Sequence, residues 1–166
     1  MKTELTLLVP MIRRFAFSLT GNQHDADDLL QNTVERVLAK GVPEDVDLNK
    51  WVFRVCRNLW IDEYRSRKVR QTAAESPELS QYSEVSAEHV MQQKLSLQQI
   101  NTAMDVLPND QRSIISLVAI QGMSYKEVAE TLSVPLGTVM SRLARARASL
   151  SQCLKHEMES LSHEPA

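Results

Sequence analysis

The chain has 166 residues, with 19 Lys and Arg against 21 Asp and Glu, four His, two Cys and only four Gly. That length holds one ordinary domain or two small ones, and a composition 43% hydrophobic and 24% charged is that of a globular chain, not a disordered or fibrous one. Cys56 and Cys153 stand alone without zinc-site or disulfide spacing, and no apolar run reaches membrane-spanning length, which argues against a metal centre, a secreted disulfide scaffold and a membrane protein.

Leu5, Leu8, Ile12, Phe15, Ala16 and Leu19 recur at three- and four-residue spacing and predict a first helix, ended by Gly21-Asn22. The same N-terminal stretch is broken by Pro10, Arg13 and Arg14 and has no signal-peptide pattern, so a cytoplasmic location is expected. A second helix starts near Asp25, with Leu29, Leu30, Thr33, Val34, Val37 and Leu38 on its apolar face. Its acidic first turn suits the positive end of the helix dipole. Gly41 and Pro43 open a short loop over 41–49. The third helix places Trp51, Val55, Leu59 and Asp62 on one stripe, with Phe53, Cys56, Trp60 and Tyr64 nearby. Trp51 reads as core, whereas Trp60 and Tyr64 fit either a core or an outward-facing position. Residues 71–88, rich in Ser, Gln and Glu with Pro77, lose the periodicity and read as a flexible linker. Leu97, Ile100, Ala103, Met104 and Leu107 restore it. Pro108 then breaks the chain, and Asn109 or Asp110 stands where it can cap a helix holding SIISLVAI. The expected fold class is all-α: two small helical domains, 1–70 and 89–155, joined by the linker 71–88 and followed by a frayed tail, 156–166.

From Gly122 the pattern is that of a helix-turn-helix. Ser124 and Glu127 form a capping box, Val128, Ala129 and Leu132 face inward, and Ser133-Val134-Pro135 turns the chain. In the second helix Val139, Leu143, Ala146 and Leu150 define the buried stripe, which leaves Thr138, Ser141, Arg142, Arg145 and Ser149 on the other face and Arg147 on its flank. Hydroxyls and arginines near the start of such a helix reach phosphates and base edges in a major groove. The net charge of -2 does not oppose this, because charge is segregated. Residues 136–150 hold Arg142, Arg145 and Arg147 and no acid, and residues 54–70 hold six basic residues against Asp62 and Glu63.

These residues carry a family resemblance. Leu107-Pro108, Gln111-Arg112, Gly122-Met123-Ser124-Tyr125, Glu127-Val128-Ala129 and Gly137-Thr138-Val139 through Ser141-Arg142-Leu143 and Arg145-Ala146-Arg147 resemble region 4 of bacterial extracytoplasmic-function sigma factors, of the sigma-70 family. Asp25-Ala26-Asp27-Asp28-Leu29-Leu30-Gln31 and Trp51-Val52-Phe53-Arg54-Val55 with Arg57-Asn58-Leu59, Ile61-Asp62 and Arg65 resemble region 2. The resemblance covers about residues 3–152. It implies a dissociable subunit giving core RNA polymerase its promoter specificity, with an anti-sigma factor as partner and no cofactor. On that resemblance Asp28, Leu29, Gln31 and Asn32 would dock on the polymerase. Asn58 would capture a flipped-out base of the −10 element, Arg54, Arg57 and Arg65 would hold phosphates, and Trp60 would adjoin them. Thr138, Met140, Ser141, Arg142, Ala144, Arg145 and Arg147 would meet the −35 element. Met140 and Ala144 depart from the larger or basic residues common in the family.

Two other classes compete. An operator-binding regulator would dimerise and bind duplex DNA without polymerase. An anti-sigma antagonist or sigma mimic would keep the helices and bind no promoter. Enzymatic activity has no support, since there is no Gly-rich phosphate loop and His24, His89, His156 and His163 are scattered.

Overall fold

The computed structural model describes residues 1–65, 67, 70 and 88–162. Its regular structure among these is entirely helical: α1 Lys2–Thr20, α2 Gln23–Lys40, α3 Leu48–Leu59, α4 Glu88–Val106, α5 Asn109–Ile115, α6 Tyr125–Leu132 and α7 Leu136–Ser162. Two further segments, Trp60–Arg65 after α3 and Ser116–Ile120 after α5, are wound as π-helix. The expected linker lies outside the described residues except for Glu88, which opens α4.

The helix ends follow local chemistry. Asn22 caps α2 by accepting from the Asp25 N–H at 2.8 Å, and Ser124 caps α6 by accepting from the Glu127 N–H at 3.1 Å. Gly21 closes α1 in the left-handed region, with φ 79°, and donates its N–H to the Phe17 carbonyl at 2.8 Å. A Cβ there would meet Arg112 and Asn101 only in ordinary contact, at 3.7 Å, so the positive φ is what favours glycine. Neither Asn109 nor Asp110 caps α5: Pro108 precedes the helix and sets its entry, so both fall inside it. The Asp110 carboxylate instead pairs with Arg142, at 3.1 Å. Pro135 likewise stands one residue before α7, with its carbonyl accepting from Thr138 and Val139.

Packing confirms most of the apolar faces and shifts some. Leu5, Ile12, Phe15, Ala16 and Leu19 of α1 are buried, as are Val139, Leu143 and Ala146 of α7. On α3 the buried residues are Val52, Phe53, Cys56 and Leu59, with Trp60 following. The stripe through Trp51, Val55, Leu59 and Asp62 is therefore displaced: Trp51 and Val55 are half-buried and Asp62 is exposed. The physical reason is twofold. Phe53 anchors the helix edge-on to Phe15, 5.3 Å between rings, and the π segment breaks the 3.6-residue register after Leu59. Leu97 and Ile100 are exposed, whereas Ala103 and Met104 of the same helix are buried. Leu38 is also exposed, at the end of α2. The presumed frayed tail is helical through Ser162.

A single apolar cluster joins the two halves, running from Leu5 and Phe53 to Leu117 and Leu143. The N-terminal helices meet the C-terminal ones where α1 packs on the Ser116–Ile120 segment and α3 packs on α6. Burial holds the Cys56 thiol in its protonated form, pushed up to about 12, while Cys153 is half-buried. A thiol reagent at pH 8 should accordingly label Cys153 in the native chain and reach Cys56 only when denaturant opens the N-terminal core; equal labelling rates would contradict this packing.

Candidate nucleic-acid interface

The helix-turn-helix is built from α6, a turn and α7. The turn depends on Ser133, which takes the left-handed conformation at φ 55° and ψ 48°. Val134 donates back to the Ala129 carbonyl at 3.0 Å, which locks the two helices in a fixed crossing. Val128, Val139 and Leu143 are buried between them, and Thr131 joins them at 1% exposure, its hydroxyl satisfied by the Glu127 carbonyl at 2.7 Å. That polar core residue had no apolar periodicity to announce it.

Most of the recognition surface predicted on α7 faces outward. Met140 is 52% exposed, and Ser141, Ala144, Arg145 and Arg147 are exposed as well. The Ser141 hydroxyl turns back to donate to the Thr138 carbonyl at 3.3 Å, and Thr138 is half-buried. Arg142 departs from the expected face. It borders the Val139–Leu143 stripe, is half-buried, and ties α7 to α5 through Asp110. Leu136 adds an exposed apolar side chain one turn before Met140, so an exposed row Leu136, Met140, Ala144 runs along the helix at i, i+4 spacing.

The basic residues of α3 and its π segment are brought together, but against the C-terminal helices. The Arg54 Nη1 donates to the Ser133 hydroxyl at 3.0 Å, with its guanidinium 5.9 Å from the Trp51 ring. The Arg57 Nε donates to the Ser113 hydroxyl at 3.1 Å, and Arg65 Nη2 donates to the carbonyls of Asp105 and Leu107 at 3.2 and 3.1 Å. Burial pulls the Arg57 guanidinium below its ordinary value, partly offset by Asp110. Asn58 is exposed beside them and accepts from Arg57. Trp60 does not face outward: it is 2% exposed, and the guanidinium of Arg112 lies 5.8 Å from its ring. It follows Phe53 and Cys56 at i+7 and i+4, so the buried stripe of α3 carries it inward. Tyr64 stays half-buried, its hydroxyl accepting from the Asn32 amide at 3.1 Å.

On α2, Asp28 and Gln31 are exposed and Asn32 is half-buried, spanning to Tyr64 and Glu63. Leu29 is fully buried, so its place is the core of the N-terminal helices and not an outer face. It falls on the stripe Ala26, Leu30, Thr33, Val37, which packs inward.

Sequence reading missed the groups that hold the halves together. Arg112 is 1% exposed; its Nε donates to the Ser18 carbonyl at 3.1 Å and its Nη1 meets Asp105 at 2.6 Å. Lys50 pairs with Glu130, and that hydrogen bond raises the lysine and lowers the carboxyl from their ordinary values. The signal available for Arg112 was its spacing, three and four residues before Ile115 and Ser116 on a buried face. Glu130→Lys should place two cations together across α3 and α6; amide exchange in α6 should quicken while helical circular dichroism is retained, and unchanged exchange would show the pair to be idle.

Two helical units, one bearing a basic third helix and one a helix-turn-helix, define a two-part promoter-binding protein of the sigma-70 type. A family model described as Sigma-70 region 2 matches residues 5–70, and one described as Sigma-70, region 4 matches residues 97–150. The chain is 34% identical over 156 residues to the ECF RNA polymerase sigma factor EcfG of Rhodopseudomonas palustris, spanning 93% of this chain and 84% of that one. Its structure is similar to the sigma factor RpoE of Bartonella quintana in complex with the anti-sigma factor NepR, with a TM-score of 0.68 and 31% identity over 93% of this chain and 96% of the other. It is similar also to CnrH in complex with the cytosolic domain of CnrY, with a TM-score of 0.67 and 25% identity over 94% and 90% of the two chains; the curated CnrH is from Cupriavidus metallidurans. The chain belongs to the extracytoplasmic-function (ECF) RNA polymerase sigma factors.

Proposed function

We propose that the chain directs promoter-specific initiation by core RNA polymerase, with residues 1–70 engaging the polymerase and the −10 element and residues 89–155 the −35 element. The observation that carries this reading is the pairing of an outward recognition face on α7 with a basic α3 surface in one chain. Asp28 and Gln31, exposed on α2, form the polymerase-facing edge, with Asn32 beside them; Leu29 supports that helix from within. Asn58 reads a −10 base extruded from the stack, an event whose unstacking cost of about a few kcal/mol is offset by contacts in the pocket that receives it. Arg54, Arg57 and Arg65 hold phosphates once the halves separate. Arg145, Ser141 and Met140 read the −35 duplex, and Arg147 anchors its backbone.

The working place is the cytoplasm, where polymerase is, and no described helix is long and apolar enough to cross a membrane. The role is recognition and not catalysis. An anti-sigma partner covers the same faces; the support is the likeness over almost the whole chain to a sigma factor seen with the anti-sigma factor NepR and to CnrH seen with the cytosolic domain of CnrY. The test is run-off transcription with purified core polymerase on candidate promoters. Promoter-dependent product that disappears on Asp28→Arg supports the reading. Duplex binding by a dimer of the chain, with no product on any promoter, replaces it by an operator-binding regulator.

A further inference from the structure

Where the end of α1, the start of α2, the Trp60–Arg65 segment and α5 meet, the halves enclose a cavity of about 320 Å³. Arg65, Arg67 and Arg112 line it together with Asp25, Trp60 and Tyr64. Arg112 is the one charged side chain buried among the described residues. Its Nε and Nη1 are satisfied by Ser18 and Asp105, but Nη2 finds no acceptor there. A buried guanidinium with a donor left over is costly, and burial accordingly pulls Arg112 below its ordinary value despite Asp105. Arg67 is exposed, its guanidinium 5.8 Å from the Tyr64 ring. Three guanidiniums thus outnumber two carboxylates, Asp25 in the lining, held by the Asn22 amide at 2.8 Å, and Asp105 behind Arg112.

We propose that this cavity is a binding site for a small phosphate anion of diphosphate size, held between Arg67 and Arg112 with Arg65 at its edge. Guanidiniums match phosphate oxygens through paired N–H donors, and the cavity has room for more than one phosphoryl group. Because its walls come from both halves, the anion binds the closed arrangement and stabilises it by mass action. Resting on the promoter-binding reading above, the consequence is a ligand that opposes DNA engagement, since Arg54 and Arg57 face Ser133 and Ser113 in that arrangement.

The experiment is thermal melting of the full chain with inorganic pyrophosphate, at constant ionic strength set with chloride. A saturable Tm rise of roughly 3–6 °C is expected at about tenfold excess over Kd, and Arg67→Gln should abolish the rise while melting normally without ligand, because its side chain is exposed. Phosphorus NMR line broadening should follow the same dependence. An equal or greater rise with ADP assigns the natural source to a nucleotide, and a rise with pyrophosphate alone assigns it to the free anion; both support the site. An equal rise with sulfate, a rise unaffected by Arg67→Gln, or no saturation overturns it. So does tight binding of a short single-stranded DNA with pyrophosphate inert, which would make the cluster a nucleic-acid contact. Failure of any of these leaves run-off transcription, which tests the promoter reading separately.

Discussion

Replacing Arg112 with alanine should lower the free energy of unfolding by about 2–4 kcal/mol, read as a leftward shift of the urea transition. The size follows from what the side chain joins. It is 1% exposed and reaches the Ser18 carbonyl on α1, the Asp105 carboxylate on α4 and the face of Trp60 after α3. Truncation leaves the Ser18 carbonyl without that donor, removes the ion pair to Asp105 and opens a void between the halves. Arg112→Lys should recover little, because one ammonium cannot serve the two directions that Nε and Nη1 serve now. Arg112→Met should recover more of the loss than lysine does, since it fills volume without a buried charge. A loss below about 1 kcal/mol for the alanine variant would mean that the two halves are held by the apolar cluster alone.

How much of this was legible in sequence depends on whether a feature is local. The helix-turn-helix was, because Ser124, Pro135 and the Val139–Leu143–Ala146 spacing are short-range signals, and each is met in the structure within a residue. The α1 and α2 faces were legible for the same reason. What escaped was set by contacts distant in sequence. Trp60 follows Phe53 and Cys56 at i+7 and i+4, but only the contact of Phe53 with Phe15 fixes that phase; read through Trp51 and Val55 instead, the stripe left Trp60 open and put Asp62 inside. Leu29 was on the apolar face by its spacing and on the polymerase side by the resemblance, and the structure sides with the spacing: α2 packs against α1 and α3 and takes it inside. Arg54, Arg57 and Arg65 were rightly read as a basic cluster, but periodicity says nothing of Ser133, Ser113 or the carbonyls of α4 that receive them. Arg142 shows the limit from the other side. It belongs to the basic run of α7, and only the position of Asp110 assigns it to packing.

The recognition helix should divide its work between charge and shape, and the division can be measured. Arg145 is exposed on the outer face of α7, so Arg145→Ala should weaken holoenzyme binding to a promoter duplex by about 1–3 kcal/mol, roughly 5- to 150-fold, and relax preference at one −35 position. Arg147→Ala should instead weaken all sequences alike and reduce the salt slope by about 1, as a phosphate contact does. The row of Leu136, Met140 and Ala144 carries no hydrogen-bonding side chain, so what it can select is the 5-methyl group of thymine. Exchanging single −35 thymines for deoxyuridine removes that methyl and nothing else; one such position should cost about 0.8 kcal/mol, or roughly fourfold. In the Met140→Ala protein the same exchange should be nearly silent, because the methyl has lost its partner, whereas Arg145→Ala should leave the deoxyuridine effect intact. Additive losses for Met140→Ala and deoxyuridine at every position would show that this row spaces the helix from the groove without reading it, and would leave −35 selectivity to Ser141 and Arg145.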